Sequence, residues 1–330
     1  MSEAVRWWRS TLAAVAACSV ALLAPCSARG QDYPIKPVTL VVGFAAGGPT
    51  DIIARVLAPE LAAALGQPVV VQNKTGASSL VATQAVARAA PDGYTLLVAS
   101  HSHSVNPLLL ENAHYDPLKD FAPISRIAVL PLVLVTPPDA PYNSVQDLVA
   151  AARAKPGEVM YASSGHSGSS HLAGALLASL SGTSMTHVPF SGNGPALIEV
   201  MAGRVSFMFY PTLGVADNVS QKRLKVLAAG TAKRHPEFPS VPTMAEAGFP
   251  GFDETAPWVG ILAPAGTPAP IVRRVSDALR AALAQPQTQH RLAGAGATIV
   301  GSTPGEFAGF LQQDGERWAR VIRAAGVQRQ

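Results

Sequence analysis

Short apolar runs alternate along the chain with longer segments in which apolar positions recur every three or four residues. Residues 38–44 have the composition of a buried strand, and residues 50–66 carry apolar side chains at helical spacing. Residues 68–72, 80–90 and 94–99 continue this order as strand, helix and strand. Such a βαβαβ unit predicts a parallel sheet with helices on both faces.

The alternation restarts after residues 124–135. Later strands are expected at 159–162, 185–189, 205–209 and 224–229, and helices at 144–154, 172–180 and 195–201. A strand at 259–262 and two helices, which begin near residues 270 and 303, are left over. The simplest packing returns them to the first half. The sequence therefore predicts an α/β protein of two lobes, each with a mainly parallel sheet flanked by helices, and a cleft between lobes is a common small-molecule site.

The first thirty residues have the features of a secretory signal peptide. Arg6 and Arg9 precede an uncharged stretch at 10–23, and small residues follow it. This stretch is too short to span a bilayer comfortably, so we expect cleavage near residues 28–30 and a periplasmic mature protein. Both cysteines lie in the segment to be removed, so we expect the mature chain to have no thiol for disulfides or metal sites.

Composition then narrows the class of protein. Charged residues make up 14% of the chain and hydrophobic residues 48%, which argues against a disordered chain or one that wraps nucleic acid. The net charge of +4 falls to +2 without residues 1–30, so charge gives no argument for a polyanionic partner. The only long apolar run is N-terminal, which excludes a multi-span membrane protein.

Two loops rich in glycine and hydroxyl groups each join a predicted strand to a predicted helix, one in each half. Residues 43–51 read Gly-Phe-Ala-Ala-Gly-Gly-Pro-Thr-Asp, and residues 163–171 read Ser-Ser-Gly-His-Ser-Gly-Ser-Ser-His. A helix N-terminus presents free N–H groups and a partial positive charge, which suit a carboxylate. The spacing fits neither a P-loop nor a dinucleotide fingerprint. An ordinary strand–helix turn is the alternative explanation for each loop.

The second loop is also compatible with a secreted serine hydrolase. Ser167 stands in a Gly-x-Ser sequence between a predicted strand and a predicted helix, as a nucleophile elbow does, and Asp217 and His235 follow in the usual order. Ser169 occupies the position at which that motif needs glycine. Turnover of an ester would distinguish this hydrolase from a binding protein without catalysis.

Four histidines near the expected cleft raise a third hypothesis, a metal-binding receptor. His101 and His103 alternate after the third strand, in a polar segment that we expect to be exposed, and His166 and His171 lie in the second loop. No acidic residue lies beside either pair, so we expect solvated histidines and neither a metal nor another cofactor. Zinc retained through purification would favour this hypothesis.

Motifs along the whole mature chain carry a resemblance to a known family. The chain has Tyr-Pro-Ile-Lys-Pro at 33–37, the loop at 43–51, Leu-Gly-Gln-Pro-Val-Val-Val at 65–71, Ala-Pro-Asp-Gly-Tyr-Thr-Leu-Leu at 90–97, Tyr-Asp-Pro at 115–117, Tyr-Ala-Ser-Ser-Gly at 161–165, His-Val-Pro-Phe at 187–190, Ala-Glu-Ala-Gly at 245–248 and Ala-Pro-Ala-Gly-Thr-Pro at 263–268. Each motif is weak alone, but their order is specific. Together they resemble the Bug family, the extracytoplasmic receptors of tripartite tricarboxylate transporters.

This resemblance implies a two-lobed, type II-like periplasmic-binding-protein fold that closes on a small carboxylate without catalysis. After a 1–30 signal peptide, one lobe would comprise 31–130 with 250–330, and the other 131–249. The resemblance further implies a monomeric receptor that delivers its ligand to the membrane subunits of a tripartite tricarboxylate transporter, or to a sensor protein. The ligand-binding residues carried over are Phe44, Gly47, Gly48, Thr50, Asp51, Ser100, His101, Ser163, Ser164, Gly165, Ser170, His171, Phe190 and Trp258.

Tyr210 completes the candidate site and marks a departure from the family, in which many members have aspartate at this position. We expect this strand end to point into the cleft, where a phenol donates to a carboxylate that an aspartate would repel. The sequence therefore predicts a ligand without an ammonium group, either a dicarboxylate or an aromatic carboxylate. The alternatives are that Tyr210 only fills space and that Phe190 and Trp258 are core aromatics.

Overall fold

The computed structural model describes residues 33–212, 214–294 and 296–329. The predicted signal peptide and both cysteines therefore lie outside the described residues. Residues 36–330 form one compact unit. Within the part of the chain that the structure describes, no helix has the length and apolar character needed to cross a bilayer.

Six strands form the first sheet. Numbered in chain order, they are β1 (Val38–Val42), β2 (Val69–Asn73), β3 (Thr95–Ser100), β4 (Phe121–Val129), β10 (Trp258–Pro264) and β11 (Thr298–Ile299). Their order across the sheet is β2-β1-β3-β10-β4-β11. β1 pairs in parallel with β2 and β3, whereas β10 runs antiparallel to both β3 and β4.

The second sheet has five strands, all from the middle of the chain. They are β5 (Leu132–Thr136), β6 (Met160–Ser163), β7 (Thr186–Pro189), β8 (Phe207–Pro211) and β9 (Lys225–Ala229). The order is β7-β6-β8-β5-β9, with β6 parallel to β7 and β8, and β5 antiparallel to β8 and β9. Each sheet is the centre of one lobe.

Helices follow most of the strands and cover the sheets. They are α1 (Pro49–Leu65), α2 (Leu80–Ala87), α3 (Ser102–Leu109), α4 (Val145–Ala154), α5 (Ser169–Ser181), α6 (Asn193–Met201), α7 (Val215–Ser220), α8 (Ala269–Ala284), α9 (Pro286–Ala293) and α10 (Pro304–Ala325). α1 shows why the sequence forms them. It begins with proline after an extended Gly48 and ends at Gly66, whose φ of 74° is left-handed.

The two-lobed α/β architecture predicted from the sequence is confirmed, with one refinement. Both sheets are mixed rather than mainly parallel. In the first sheet the chain returns in β10, antiparallel to β3 and β4, and in the second sheet β5 runs antiparallel to β8 and β9. A parallel order holds for the β1–β3 and β6–β8 units, in which helices make the crossovers.

The expectation of an exposed polar segment after β3 is wrong. Residues 100–104 are buried, and α3 begins at Ser102. His103 makes a 2.8 Å hydrogen bond through Nε2 to the carbonyl of Pro117, and its ring packs edge-on against Phe121 at 4.7 Å between centroids. Nδ1 of His103 is buried without a hydrogen-bond partner among the described residues. The ring thus packs inside the first lobe, so His103 is a core histidine.

The long C-terminal helix α10 connects the lobes on one side. Thr303 and Glu306 form a capping box at its start. Its buried Trp318 shares an apolar cluster with Val105 of α3 in the first lobe and Leu172 of α5 in the second. These contacts favour a hinge near α10 and an opening on the opposite side.

Candidate functional site

A narrow cavity lies between the lobes, at the carboxyl ends of β1, β3, β6, β7 and β8. The carboxyl edge of parallel strands is where α/β folds place their ligands. Only about 20 Å³ is open to the centre of a water-sized sphere, which is room for one or two water molecules. A larger ligand therefore enters when the lobes separate. The lining residues are Phe44, Gly48, Pro49, Thr50, Ser100, His101, Leu130, Ser164, Ser169, Asn193, Pro211, Pro257, Trp258 and Val259.

Three helices begin at the wall of this cavity. Thr50 lies in the first turn of α1, and Ser169 and Asn193 begin α5 and α6. The first N–H groups of a helix have no acceptor within that helix and carry a partial positive charge. The two lobes thus direct backbone donors into one small space. This arrangement suits an anion that has acceptors at both ends.

The loop before α1 is fixed by the carboxylate of Asp51. Oδ2 accepts from the N–H of Gly47 and from Nε of Arg55, both at 2.9 Å, and Oδ1 accepts from Nδ2 of Asn73 at 2.8 Å. The same Nδ2 also donates to the carbonyl of Phe44 at 3.0 Å. Burial alone would raise the pKa of Asp51, but these hydrogen bonds outweigh it and hold the pKa below its ordinary value. Asp51 therefore positions the loop, and it occupies the N–H of Gly47.

His101 is a buried polar side chain in the wall of the cavity. Its ring is buried, yet neither ring nitrogen has a hydrogen-bond partner among the described residues. Burial, together with the charge of Arg317, lowers its pKa to about 3; the nearby backbone of Ser167 opposes this shift without meeting hydrogen-bond geometry. The ring is therefore neutral at pH 7 and offers one N–H donor and one lone pair.

The remaining polar groups of the cavity are uncharged. Ser100 and Ser164 contribute hydroxyl groups. The hydroxyl of Ser170 donates to Oδ1 of Asn193 at 3.2 Å, which leaves the amide NH₂ of Asn193 as a donor. None of the described lining residues carries a full charge at pH 7, so the cavity has no carboxylate to pair with an ammonium group.

The lobes also contact each other beside the cavity. The hydroxyl of Ser167 in the second lobe donates to Oδ1 of Asn106 on α3, whose Nδ2 donates to the carbonyl of Ser78 at 3.1 Å. Gly165 has a φ of 118°, and a Cβ there would lie 2.3 Å from Oγ of Ser78. The loop at 163–168 thus reaches across to the first lobe, and a side chain at 165 would block that approach.

Seven of the fifteen ligand-binding residues predicted from the sequence line the cavity. They are Phe44, Gly48, Thr50, Ser100, His101, Ser164 and Trp258. Trp258 is held by a 2.7 Å hydrogen bond from its indole Nε1 to Oδ2 of Asp314. Five others support the loops or lie beside them: Gly47, Asp51, Ser163, Gly165 and Ser170.

The other three predicted residues lie elsewhere. Tyr210 packs among apolar side chains of the second-lobe core, its pKa is raised to about 12 by burial, and its neighbour Pro211 reaches the cavity instead. Phe190 lines a separate pocket between Ser78 and His166. This placement favours a packing role for Tyr210.

His171 belongs to a cluster with His166 and His187 in a pocket open to solvent. Burial, with smaller effects from neighbouring groups, lowers the pKa of His171 to about 4 and that of His187 to about 3. Both rings are neutral at pH 7. The four histidines considered as one metal set in the sequence are therefore divided, because His101 and His103 lie in the first lobe.

The hydrolase hypothesis finds little support at Ser167. Its hydroxyl donates to the side-chain amide oxygen of Asn106, a group that cannot act as a general base. The buried hydroxyl instead joins the two lobes.

Sequence reasoning missed Ser169 and Asn193. A signal for Asn193 was present in Gly192-Asn193-Gly194-Pro195, which follows β7 and opens α6. The close approach of the two lobes is visible here, since a Cβ on Gly194 would lie 3.6 Å from the backbone carbon of Gly47. A glycine-rich turn at the same edge as the other two loops is the feature that would have identified it.

Comparison with known proteins agrees with this architecture. A model of the tripartite tricarboxylate transporter family receptor matches residues 53–327. The protein BugT of Bordetella pertussis is 38% identical over 308 residues, which cover 93% of this chain and 94% of BugT. The structure of MatC from Rhodopseudomonas palustris with bound malate is 34% identical, has a TM-score of 0.84 and covers 88% of this chain and 100% of MatC.

A second R. palustris protein, solved with adipate, is 33% identical with a TM-score of 0.86, over 90% of this chain and 100% of its own. The match to the family model spans most of the chain, and BugT matches almost throughout. The chain therefore belongs to the tripartite tricarboxylate transporter receptor family, as its resemblance to Bug proteins implies.

Proposed function

We propose that this protein is an extracytoplasmic solute receptor that binds a small carboxylate in the interlobe cavity and delivers it, unchanged, to the membrane subunits of a tripartite tricarboxylate-type transporter. Membership of a family of solute receptors supports the class of function and a location outside the cytoplasm. A cleaved signal peptide would bring the mature chain there. The hand-over to membrane subunits is inferred from the family description.

The observation that carries the proposal is the unpartnered imidazole of His101 in a cavity walled by three helix N-termini. A buried polar group without a hydrogen-bond partner lowers the stability of the folded protein. A ligand that bonds this imidazole would remove that cost. A carboxylate accepts from the imidazole N–H, from first-turn backbone N–H groups and from hydroxyls at once. No charged side chain is required, because the helix ends supply partial positive charge.

The same geometry favours a dicarboxylate or an aromatic carboxylate. Donors face the cavity from α1 in the first lobe and from α5 and α6 in the second, so two carboxylates at opposite ends would each find donors. Phe44 and Trp258 provide an apolar wall between these ends. Malate and adipate, which accompany the two related structures, are both dicarboxylates.

A thermal-shift screen tests the proposal. Mono-, di- and tricarboxylates and aromatic acids are compared on the mature protein, with calorimetry on every hit. A ligand at a hundred times its Kd should stabilise the protein by about 2.7 kcal/mol. Failure of all carboxylates to stabilise it would contradict the proposal, and so would turnover of an ester substrate that depends on Ser167.

A further inference from the structure

Three histidines of the second lobe lie together outside the carboxylate cavity. His166, His171 and His187 each offer one ring nitrogen, and these three nitrogens lie within 4.8 Å of one another. His171 is buried, His187 is half-buried and His166 is exposed. All three line a pocket that is open to solvent, and none lines the cavity between the lobes.

The hydrogen bonds of the two inner histidines indicate which nitrogen of each ring is free to bind a metal ion. Nδ1 of His171 bonds the backbone carbonyl of His166, and because a carbonyl only accepts, Nδ1 holds the proton and Nε2 the lone pair. Nε2 of His187 lies 2.6 Å from Oγ of Ser163, whose hydroxyl donates to the carbonyl of Gly165 at 3.1 Å. When Ser163 donates to that carbonyl, it accepts from His187, and Nδ1 of His187 keeps its lone pair.

We propose that His166, His171 and His187 bind a divalent transition metal ion of the zinc type, with a water molecule from the open pocket in the fourth position. Metal-binding histidines commonly donate their second ring nitrogen to a carbonyl or another oxygen, as His171 and His187 do here. Imidazole is a preferred ligand of Zn²⁺, and three histidines with one open position form a known coordination set. This proposal does not rest on the carboxylate function.

Coordination of an ion requires the cluster to rearrange. Tetrahedral coordination with Zn–N bonds of about 2.05 Å places the nitrogens roughly 3.3 Å apart. The present separations of up to 4.8 Å close in part by movement of the exposed His166, which lies on the loop before α5. Because the rings of His171 and His187 are stacked with their centroids 4.0 Å apart, one of the two must also turn for both lone pairs to point at the same ion.

An aromatic stack is the rival explanation of the cluster. The ring of His187 lies 4.0 Å from that of His171 and 5.1 Å from that of Tyr161, in stacked geometry. Stacking accounts for these inner rings. The ring of the exposed His166 lies nearly perpendicular to both histidine rings, with centroids 5.1 Å and 5.8 Å away. Aromatic pairs also favour this geometry, so metal titration decides between the two explanations.

Calorimetric titration with Zn²⁺ tests the proposal on mature protein made without a polyhistidine tag and treated with a chelator. We expect one ion per chain. His166→Ala should weaken binding at least about tenfold, the lower end of the cost of losing even an outer-shell partner. The matched control is His290→Ala, an exposed histidine on α9, which should bind as the wild type does. Equal affinity of His166→Ala and wild type, or no one-to-one binding, would overturn the site.

Three further measurements keep the test independent of folding and of the cavity. His187→Gln, which keeps a polar side chain of similar size, should also lose Zn²⁺ affinity, and its metal-free melting temperature shows whether it folds. Co²⁺ bound to the wild type should show the visible absorption of a tetrahedral site, and this absorption should be absent with His166→Ala. His101→Phe, which alters the cavity wall and keeps an aromatic ring beside Trp318, should leave Zn²⁺ binding unchanged. Loss of Zn²⁺ binding in His101→Phe would contradict the separation of the two sites.

Discussion

The two loops that close the cavity are held in different ways. The loop at 43–48 is fixed within its own lobe by Asp51, whose charged network also includes Arg55 and Asn73. The base of the loop at 163–168 is held by uncharged bonds between Ser163, Gly165 and His187, but its buried Ser167 bonds the opposite lobe.

This difference means that the first lobe holds a preformed half of the site, whereas the half in the second lobe is conditional on lobe closure. The first lobe keeps its donors in place whether or not the cleft is closed, since every partner of Asp51 comes from that lobe. The second loop gains its last hydrogen bond only when the lobes meet. Lobe closure of this hinge type would then complete the site around a ligand.

Replacing His101 removes the donor that the first lobe holds ready, and it should have the largest effect on binding. His101→Phe keeps an aromatic ring beside Trp318, whose centroid lies 5.0 Å away. A lost hydrogen bond to a charged group costs about 1.5–3 kcal/mol, so the Kd for the carboxylate should rise roughly 10- to 100-fold. Calorimetry measures it. An unchanged Kd would mean that the imidazole does not touch the ligand.

Asp51→Asn should disorganise the preformed loop. The new NH₂ group would face donors, namely the N–H of Gly47 and the guanidinium of Arg55. We expect a loss of about 1.5–3 kcal/mol in the free energy of unfolding, because hydrogen bonds to a charged group are lost, and a rise in Kd of about tenfold. Urea unfolding without ligand checks the first effect. Asp147→Asn, in the exposed first turn of α4, is the matched control.

The contribution of Asp51 to the free energy of unfolding should decrease in acid. Its pKa is lowered in the folded protein, so the stabilisation is fully present above the unfolded value of about 3.9 and is lost as pH falls through the folded value. The difference in unfolding free energy between wild type and Asp51→Asn should be constant from about pH 5 to 8. It should shrink below about pH 4. A difference that grows in acid would contradict this assignment.

Ser167→Ala tests the conditional half and should have a smaller effect. It removes a neutral hydrogen bond, worth about 1 kcal/mol, so the Kd should rise a few fold. If the contact forms only on closure, the ligand-free melting temperature should stay within error of wild type, unlike that of Asp51→Asn. The control is Ser220→Ala, whose hydroxyl bonds only within α7. Covalent labelling of Ser167 by a fluorophosphonate would instead revive the hydrolase hypothesis.

Tyr210→Phe should have the smallest effect. Tyr210 lies in the core of the second lobe and does not line the cavity. Removal of its hydroxyl should therefore change the Kd by less than about twofold. A loss comparable with that of His101→Phe would place the phenol on the ligand and restore the role that the sequence suggested.

Sequence patterns predicted most of what local physics decides. Alternating strands and helices, glycine stops and first-turn prolines identified both lobes, and the loops after β1 and β6 were located from their glycines and hydroxyls. The mixed pairing of β10 was not predictable, because it depends on the direction in which a distant segment returns.

Side-chain roles were harder to predict because tertiary contacts decide them. The sequence marks Asp51 as a first-turn acid, but it does not show that Asn73 and Gly47 would donate hydrogen bonds to its carboxylate oxygens. Nor does it show that His187, more than fifteen residues after His171, would join His166 in one cluster. For Tyr210, the position at a strand end gave no information on which side of the sheet the ring would pack.

The most direct test of the central claim is a calorimetric comparison of succinate and aspartate on the wild-type protein. These ligands share a carbon skeleton and two carboxylates and differ by one ammonium group. The lining residues offer neutral donors and no carboxylate, so succinate should bind more tightly than aspartate. Aspartate binding as tightly as succinate, or more tightly, would contradict an uncharged cavity built for carboxylates alone.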